Sequence, residues 1–258
     1  MRRIIWLSSC AVGLALAQTP HENLNAVVWM QTSAEYRASA IQTYRAAELS
    51  MMRAIQDKTW TAALEQKRPV PDLPVAIILD LDETVLDNGA FQARQTATGG
   101  VFSNETWQEW VEEKRAGLVP GARDFLLAAH GHGVAIFYIT NRVCDPGKSD
   151  DPTVTVLRAH HLPYSSQRLL CRTDTGDKSA RRNLVAAGNR ILLLIGDDFN
   201  DFVSLTPNQG SVEGRFDAVE AHRRYWGERW FMLPNPSYGS WERAVGSTVD
   251  AKRKALKH

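Results

Sequence analysis

The chain has 258 residues, 44% of them hydrophobic and 23% charged, with a formal net charge of +1. That length suits one good-sized domain, or a core with a smaller cap, and no internal repeat or low-complexity stretch interrupts it. Near-neutral charge removes any electrostatic case for binding nucleic acid polymers or anionic membranes.

At the N-terminus, Arg2 and Arg3 precede the apolar run 4–16, and Ala15-Leu16-Ala17 is a small-x-small exit. This is the plan of a secretory signal peptide over residues 1–17, and the run is too short for a permanent membrane span. Its removal takes away two arginines and no acid, so the balance moves from +1 to −1. Leu7-Ser8-Ser9-Cys10 also resembles a bacterial lipobox, which would put lipid on Cys10 and the protein on the outer membrane. Few apolar residues precede that site, so cleavage after Ala17 and a periplasmic or secreted product is the expectation.

Residues 18–70 read as a helical N-terminal segment. Ile41, Tyr44, Ala47, Met51 and Ile55 step by three or four, one apolar stripe along a helix. That helix is a candidate homodimer contact. The prolines of RPVPDLP then break it and feed a strand.

From 71 to 245 the chain alternates. VAIILDL at 75–81, VAIFYI at 134–139 and ILLLI at 191–195 are short and apolar throughout, as parallel strands covered on both faces require. RLLC at 168–171 and WFML at 230–233 are weaker strands. Helices are expected over 121–130, 153–161 and 178–187, so the fold class is α/β with a parallel central sheet. Residues 88–118 interrupt the alternation and carry Phe91, Phe102, Trp107 and Trp110. Ser103 or Asn104 caps a helix there, and the piece reads as a small cap over the edge where sites form. Residues 246–258 are a basic tail, expected to be solvated.

In an open parallel sheet, functional groups gather at the carboxyl ends of the strands. Here the first strong strand ends in Asp80-Leu81-Asp82-Glu83-Thr84, the second in Thr140-Asn141-Arg142, and the third in Gly196-Asp197-Asp198-Phe199-Asn200-Asp201. Lys178 opens the helix before the third. Crowded carboxylates resist ionising together, so a cation is needed. Hard oxygen donors without His or Cys suit Mg2+, which prefers a few carboxylates, water and a substrate phosphate. Thr140 and Lys178 can hold that phosphate. His160 and His161 close a helix, where they suit the dipole rather than a metal.

This ordered set resembles the haloacid dehalogenase superfamily of phosphohydrolases. WMQTSAEYRA at 29–38, DLDETVLDN at 80–88, FYITNR at 137–142, IGDDFNDF at 195–202 and LPNPSYGSWE at 233–242 look like the bacterial lipoprotein-e acid phosphatases and 5′-nucleotidases. The resemblance implies a haloacid dehalogenase-like three-layer core, and an aspartyl-phosphate on Asp80. It gives Asp82 the general acid role, and Thr140 and Lys178 the phosphate clamp. Asp80, the backbone carbonyl of Asp82 and Asp197 are the expected Mg2+ ligands. Asp201 takes an outer or water-bridged role, with Asp198 an alternative ligand. Trp107 and Trp110 read as core by spacing, and the resemblance tilts Trp107, Asp87 and Tyr238 toward the substrate pocket. The substrate it implies is a phosphomonoester, a nucleoside 5′-monophosphate by preference. A silent binding protein on the same fold and a D-x-D glycosyltransferase rank behind, because no member of the set is missing. Arg181 and Arg182 read as helix surface, with one able to brace the acids. Cys144 and Cys171 are expected to form a disulfide, with two free thiols as the alternative.

Overall fold

The computed structural model describes residues 21–204 and 210–257. The expected signal peptide and Cys10 lie outside the described residues. Among those described, no helix is long and apolar enough to cross a membrane.

Five parallel strands form the main sheet: β1 (Val75–Leu79), β4 (Ala135–Ile139), β5 (Leu169–Leu170), β6 (Arg190–Gly196) and β7 (Trp230–Met232), in the order β5-β4-β1-β6-β7. All five sit where the apolar runs predict them. Leu79 pairs with Tyr138 on one side and with Ile195 on the other, so three strands end level at one edge. Side chains alternate faces along a strand. Ile77 and Leu79 therefore enter one buried layer with Tyr138, Phe125 and Met51, while Ala76 and Ile78 enter a second with Phe202 and Trp230. Burial on both faces is why these strands carry no polar alternation.

Helices α5 (Ala122–Gly131), α6 (Pro152–Ala159) and α7 (Ser179–Gly188) complete the crossovers. The N-terminal segment is two helices, α1 (Leu24–Thr32) and α2 (Ala34–Gln56). Ser33 divides them: its backbone is extended at φ −82° and ψ 140°, and its hydroxyl accepts from Tyr36 N at 3.0 Å, an N-cap bond. The buried face of α2 is Tyr36, Ala40, Tyr44, Ala47, Met51 and Ala54, whereas Ile41 is 40% exposed. The expected stripe is thus rotated by one residue at its start. Tyr44 OH also donates to Thr84 O at 2.6 Å, so α2 supports the turn after β1.

The insertion begins at the hairpin of β2 (Leu86–Asp87) and β3 (Gly117–Leu118), antiparallel with Leu86 opposite Leu118. Between them lie α3 (Gly89–Thr98) and α4 (Asn104–Glu112), the latter capped by Ser103 as expected. At the other end, α8 (Val212–Ala221) precedes β7, and α9 (Ser240–Val245) and α10 (Val249–Lys254) follow it. The basic tail is more than a solvated run: Lys252 pairs with Glu22 at 2.9 Å and Glu242 at 2.5 Å, joining it to the N-terminal segment.

Cys144, just past β4, is bridged to Cys171, just past β5, across a Cα separation of 5.7 Å. Neighbouring parallel strands place the two at one edge. Alkylation of the denatured, unreduced protein should therefore leave Cys144 and Cys171 unlabelled; two labelled thiols would refute the bridge.

Candidate active site

At the carboxyl end of β1, Asp80 N donates to Ile195 O at 3.0 Å, which fixes Asp80 between β1 and β6. The chain then turns sharply. Leu81 O accepts from Val85 N and Leu86 N, both at 2.8 Å, and Glu83 adopts φ +55°. A left-handed backbone is uncommon outside glycine, and here it swings Glu83 into the interior at 1% exposure.

Carboxylate oxygens of Asp80, Asp197 and Asp201 lie within 4.8 Å of one another. Lys178 Nζ donates to Asp80 Oδ1 and, at 2.6 Å, to Asp201 Oδ1. Gly196 permits this approach, because a Cβ there would lie 2.2 Å from Asp201 Oδ2. Asp201 itself is carried by a short 3-10 turn, Phe199–Asp201, whose backbone Arg182 holds: its Nη1 donates to Asp201 O at 3.0 Å. Arg182 also pairs with Glu65 at 2.9 Å and is 2% exposed, so it braces the acids from inside the fold. Arg181 is half-buried and turns toward the site: it donates to Thr140 O and Asn141 Oδ1.

Burial in this cluster makes ionisation costly. It pushes Asp80 up to about 7, with Lys178 opposing and Asp201 and Asp82 adding to the rise. Burial, then Asp80 and Asp201, carry Asp197 well above the carboxylate range. Asp201 is raised as well, by burial against the pull of Lys178. For Lys178, burial favours the neutral amine, but Asp201 and Asp80 outweigh it and the pKa is raised. With all three carboxylates ionised against one ammonium, two negative charges would be unbalanced. All the donors are hard oxygens, so the set fits a divalent cation of the magnesium or calcium kind.

The remaining expected residues divide. Thr140 is fully buried at the end of β4; its Oγ1 accepts from Arg142 N at 3.1 Å and keeps a proton to donate. The Asp82 side chain stands outside the carboxylate cluster, turned to Arg142 at 2.6 Å. Asp201, expected in an outer role, is the third carboxylate inside it. Asp198 is occupied elsewhere, accepting from Ser240 N and Oγ and from Asn200 N. Asp87 accepts from Gly89 N at 2.7 Å and holds the start of α3, so the cavity wall does not include it. Three residues given no role from sequence complete the arrangement: Arg142, Glu83 and Asn88. Glu83 accepts from Asn88 N at 2.9 Å and from Tyr238 OH. The strand-end rule that selected Thr140 could have reached Arg142 two residues on.

A cavity of about 1140 Å³ opens over the acids. Its walls include Trp107 and Phe102 from the cap, Tyr238 from the loop after β7, Trp241 from α9, and His21 from the N-terminal segment. Asn23 Nδ2 donates to Ser237 O at 2.8 Å, and His21 Nε2 meets Gly100 O at 3.1 Å, so that segment joins both lips.

A family model described as HAD superfamily, subfamily IIIB (Acid phosphatase) matches residues 9–241. Two solved structures of a class C acid phosphatase from Bacillus anthracis are similar over 93% of this chain and 98% of theirs, at 31% identity. The one with tungstate bound superposes with a TM-score of 0.79, the other with 0.77.

Proposed function

Because the chain belongs to the HAD superfamily subfamily IIIB acid phosphatases, we propose a specific form of that activity: exported, magnesium-dependent hydrolysis of nucleoside 5′-monophosphates through an aspartyl-phosphate. What carries this reading is the pairing of the Asp80–Lys178–Asp197–Asp201 cluster with a cavity far larger than a phosphate and walled by aromatic rings.

Asp80 is the nucleophile. Its carboxylate attacks phosphorus, the bond from phosphorus to the ester oxygen breaks, and the leaving oxygen takes a proton from Asp82. Water then attacks the phospho-aspartate and yields its proton to Asp82, which frees phosphate and Asp80. Lys178 and the Thr140 hydroxyl hold the phosphoryl oxygens through charge and hydrogen bonding. Asp80, Asp197 and Asp201, with the backbone carbonyl of Asp82, are the groups that would hold Mg2+. The cation supplies charge neutralisation at the phosphoryl oxygens.

A phosphate seated on this cluster leaves its ester group in the aromatic part of the cavity. Stacking of a base on an aromatic ring contributes about 1–3 kcal/mol in single-strand binders, hence roughly tenfold to a hundredfold in affinity. Tyr238→Ala should raise KM for AMP much more than for a small aliphatic phosphate, with kcat changed less. Tyr238→Phe, which keeps the ring and loses the bond to Glu83, should preserve the preference for AMP. Equal losses of Tyr238→Ala on both substrates would make Tyr238 a support for Glu83 and leave the nucleotide reading without its physical argument.

Export is proposed on the leader-like pattern of residues 1–17 and on the Cys144–Cys171 bridge, a feature of oxidising compartments. A periplasmic or secreted product is preferred over lipid attachment at Cys10.

A further inference from the structure

The turn that carries Asp82 is gripped by a buried polar network. The side chain of Arg142 is 1% exposed and approaches Asp82 as a fork. Its Nη2 donates to Oδ1 at 2.6 Å, while Nε donates to Oδ1 at 2.9 Å and to Oδ2 at 3.2 Å. Asn88 Nδ2 donates to the same Oδ1 at 3.0 Å. Asn88 is held in turn, since its Oδ1 accepts from Trp110 Nε1 at 2.8 Å and from Arg142 Nη2 at 3.2 Å. The guanidinium lies over the Trp107 ring, 5.5 Å from its centroid. Arg172 N donates to the Arg142 carbonyl at 3.0 Å, one residue past the bridged Cys171. The backbone, the ring-facing plane and Nη2 of Arg142 are held, while its buried Nη1 has no partner among the described residues.

The two oxygens of Asp82 are therefore unequal. Oδ1 faces three N–H donors, whereas Oδ2 receives a single long contact. A protonated carboxyl carries one O–H, and an O–H on Oδ1 would be driven against those donors. A planar guanidinium fork fixes the orientation of a carboxylate as well as its distance, which a lysine ammonium does not.

We propose that Arg142 is a positioning residue that fixes the Asp82 carboxylate so that Oδ2 is the oxygen offered to the leaving group. The proposal rests on the reading of Asp82 as general acid. In the step it serves, the Asp80–phosphorus bond forms and the phosphorus–ester oxygen bond breaks. The electron pair of the broken bond goes to the ester oxygen, and the proton follows it from Oδ2.

The dependence of rate on the leaving group tests this. A nitrophenolate departs without a proton, and an alkoxide needs one. Asp82→Asn, Arg142→Lys and Arg142→Gln are assayed on p-nitrophenyl phosphate and on a simple alkyl phosphate, and their melting temperatures are measured. General acid assistance is worth about 10²–10⁴-fold. Asp82→Asn should lose about a hundredfold more kcat on the alkyl ester than on the aryl ester. Both Arg142 variants should show the same bias, by about tenfold or more, with KM changed less. Arg142→Lys added to Asp82→Asn should cost no further rate on the alkyl ester. Equal losses on the two esters in a folded Arg142→Lys protein overturn the proposal. An unbiased Asp82→Asn instead overturns the general-acid reading beneath it. Arg142→Lys keeps a cation facing Asp82 and carries the comparison if Arg142→Gln fails to fold; should neither fold, Arg142 is structural and the proposal fails.

Discussion

Asp80→Asn should reduce turnover of p-nitrophenyl phosphate by several orders of magnitude while leaving the protein folded. An amide is no nucleophile toward phosphorus, so the covalent route closes. A loss of about 10³-fold corresponds to roughly 4 kcal/mol of barrier. The fold should survive because the ionised Asp80 is a costly group, held up to about 7 chiefly by burial. Asparagine removes that cost, and Lys178 keeps Asp201 at 2.6 Å. The measurement pairs steady-state rates with a thermal melt. Ordinary turnover in a normally melting Asp80→Asn protein would falsify the aspartyl-phosphate mechanism.

Chelation should abolish activity, magnesium should restore it, and the metal-free protein should melt at a higher temperature in mild acid than in mild alkali. The stability effect has a definite sign. Burial raises the folded-state pKa of Asp80, Asp197 and Asp201, as well as that of Glu83, above the values of an unfolded chain. Stability from such groups is fully present below the unfolded carboxylate range, near pH 4, and is lost as pH rises through the folded pKa, about 7 for Asp80. Exposed carboxyls with lowered pKa, such as Asp57, Asp174 and Glu113, act in the opposite sense but lose their charge only below their ordinary range. The window between about pH 5 and pH 8 therefore lies above those exposed carboxyls and spans the titration of Asp80. Each pKa unit is about 1.4 kcal/mol, and each kcal/mol moves the melt of a chain this size by about 2–4 °C. The chelated protein should consequently melt at least about 5 °C higher at pH 5.5 than at pH 8. Added magnesium should stabilise it more at pH 8, where protons no longer compete for the same oxygens. A flat or inverted pH trend without metal, or equal magnesium effects at both values, would mean that these carboxylates do not form the cation site.

Much of this protein is legible along the chain. The runs at 75–79, 134–139 and 191–195 read as strands buried on both sides, because a short, uninterrupted apolar stretch leaves no face for water. Such strands align in parallel, and their carboxyl ends then hold Asp80, Asp82, Thr140 and Asp197 among their neighbours; the family resemblance is what assigns each a role. Lys178 needs the family pattern as well, since a lone first-turn lysine is ordinarily solvated.

Sequence alone determined the strand runs, the strand-end acids and a helix start at Ser103 or Asn104. Their signals are local, because hydrophobic period, turn chemistry and caps act over a few neighbouring residues. What only the tertiary structure decided is which chemically similar groups touch. Asp201 rather than Asp198 joins Asp80 and Asp197, because the turn at 199–201 folds it against Gly196 while Ser240 captures Asp198. The Asp82 side chain meets Arg142, which is 60 residues away. Arg182 points inward because Glu65 and the Asp201 carbonyl await it there. The face of α2 is set by Tyr44 reaching Thr84, 40 residues on. Spacing along one strand or helix cannot carry such pairings, because they depend on register and turn geometry between segments that meet only when the chain has closed on itself.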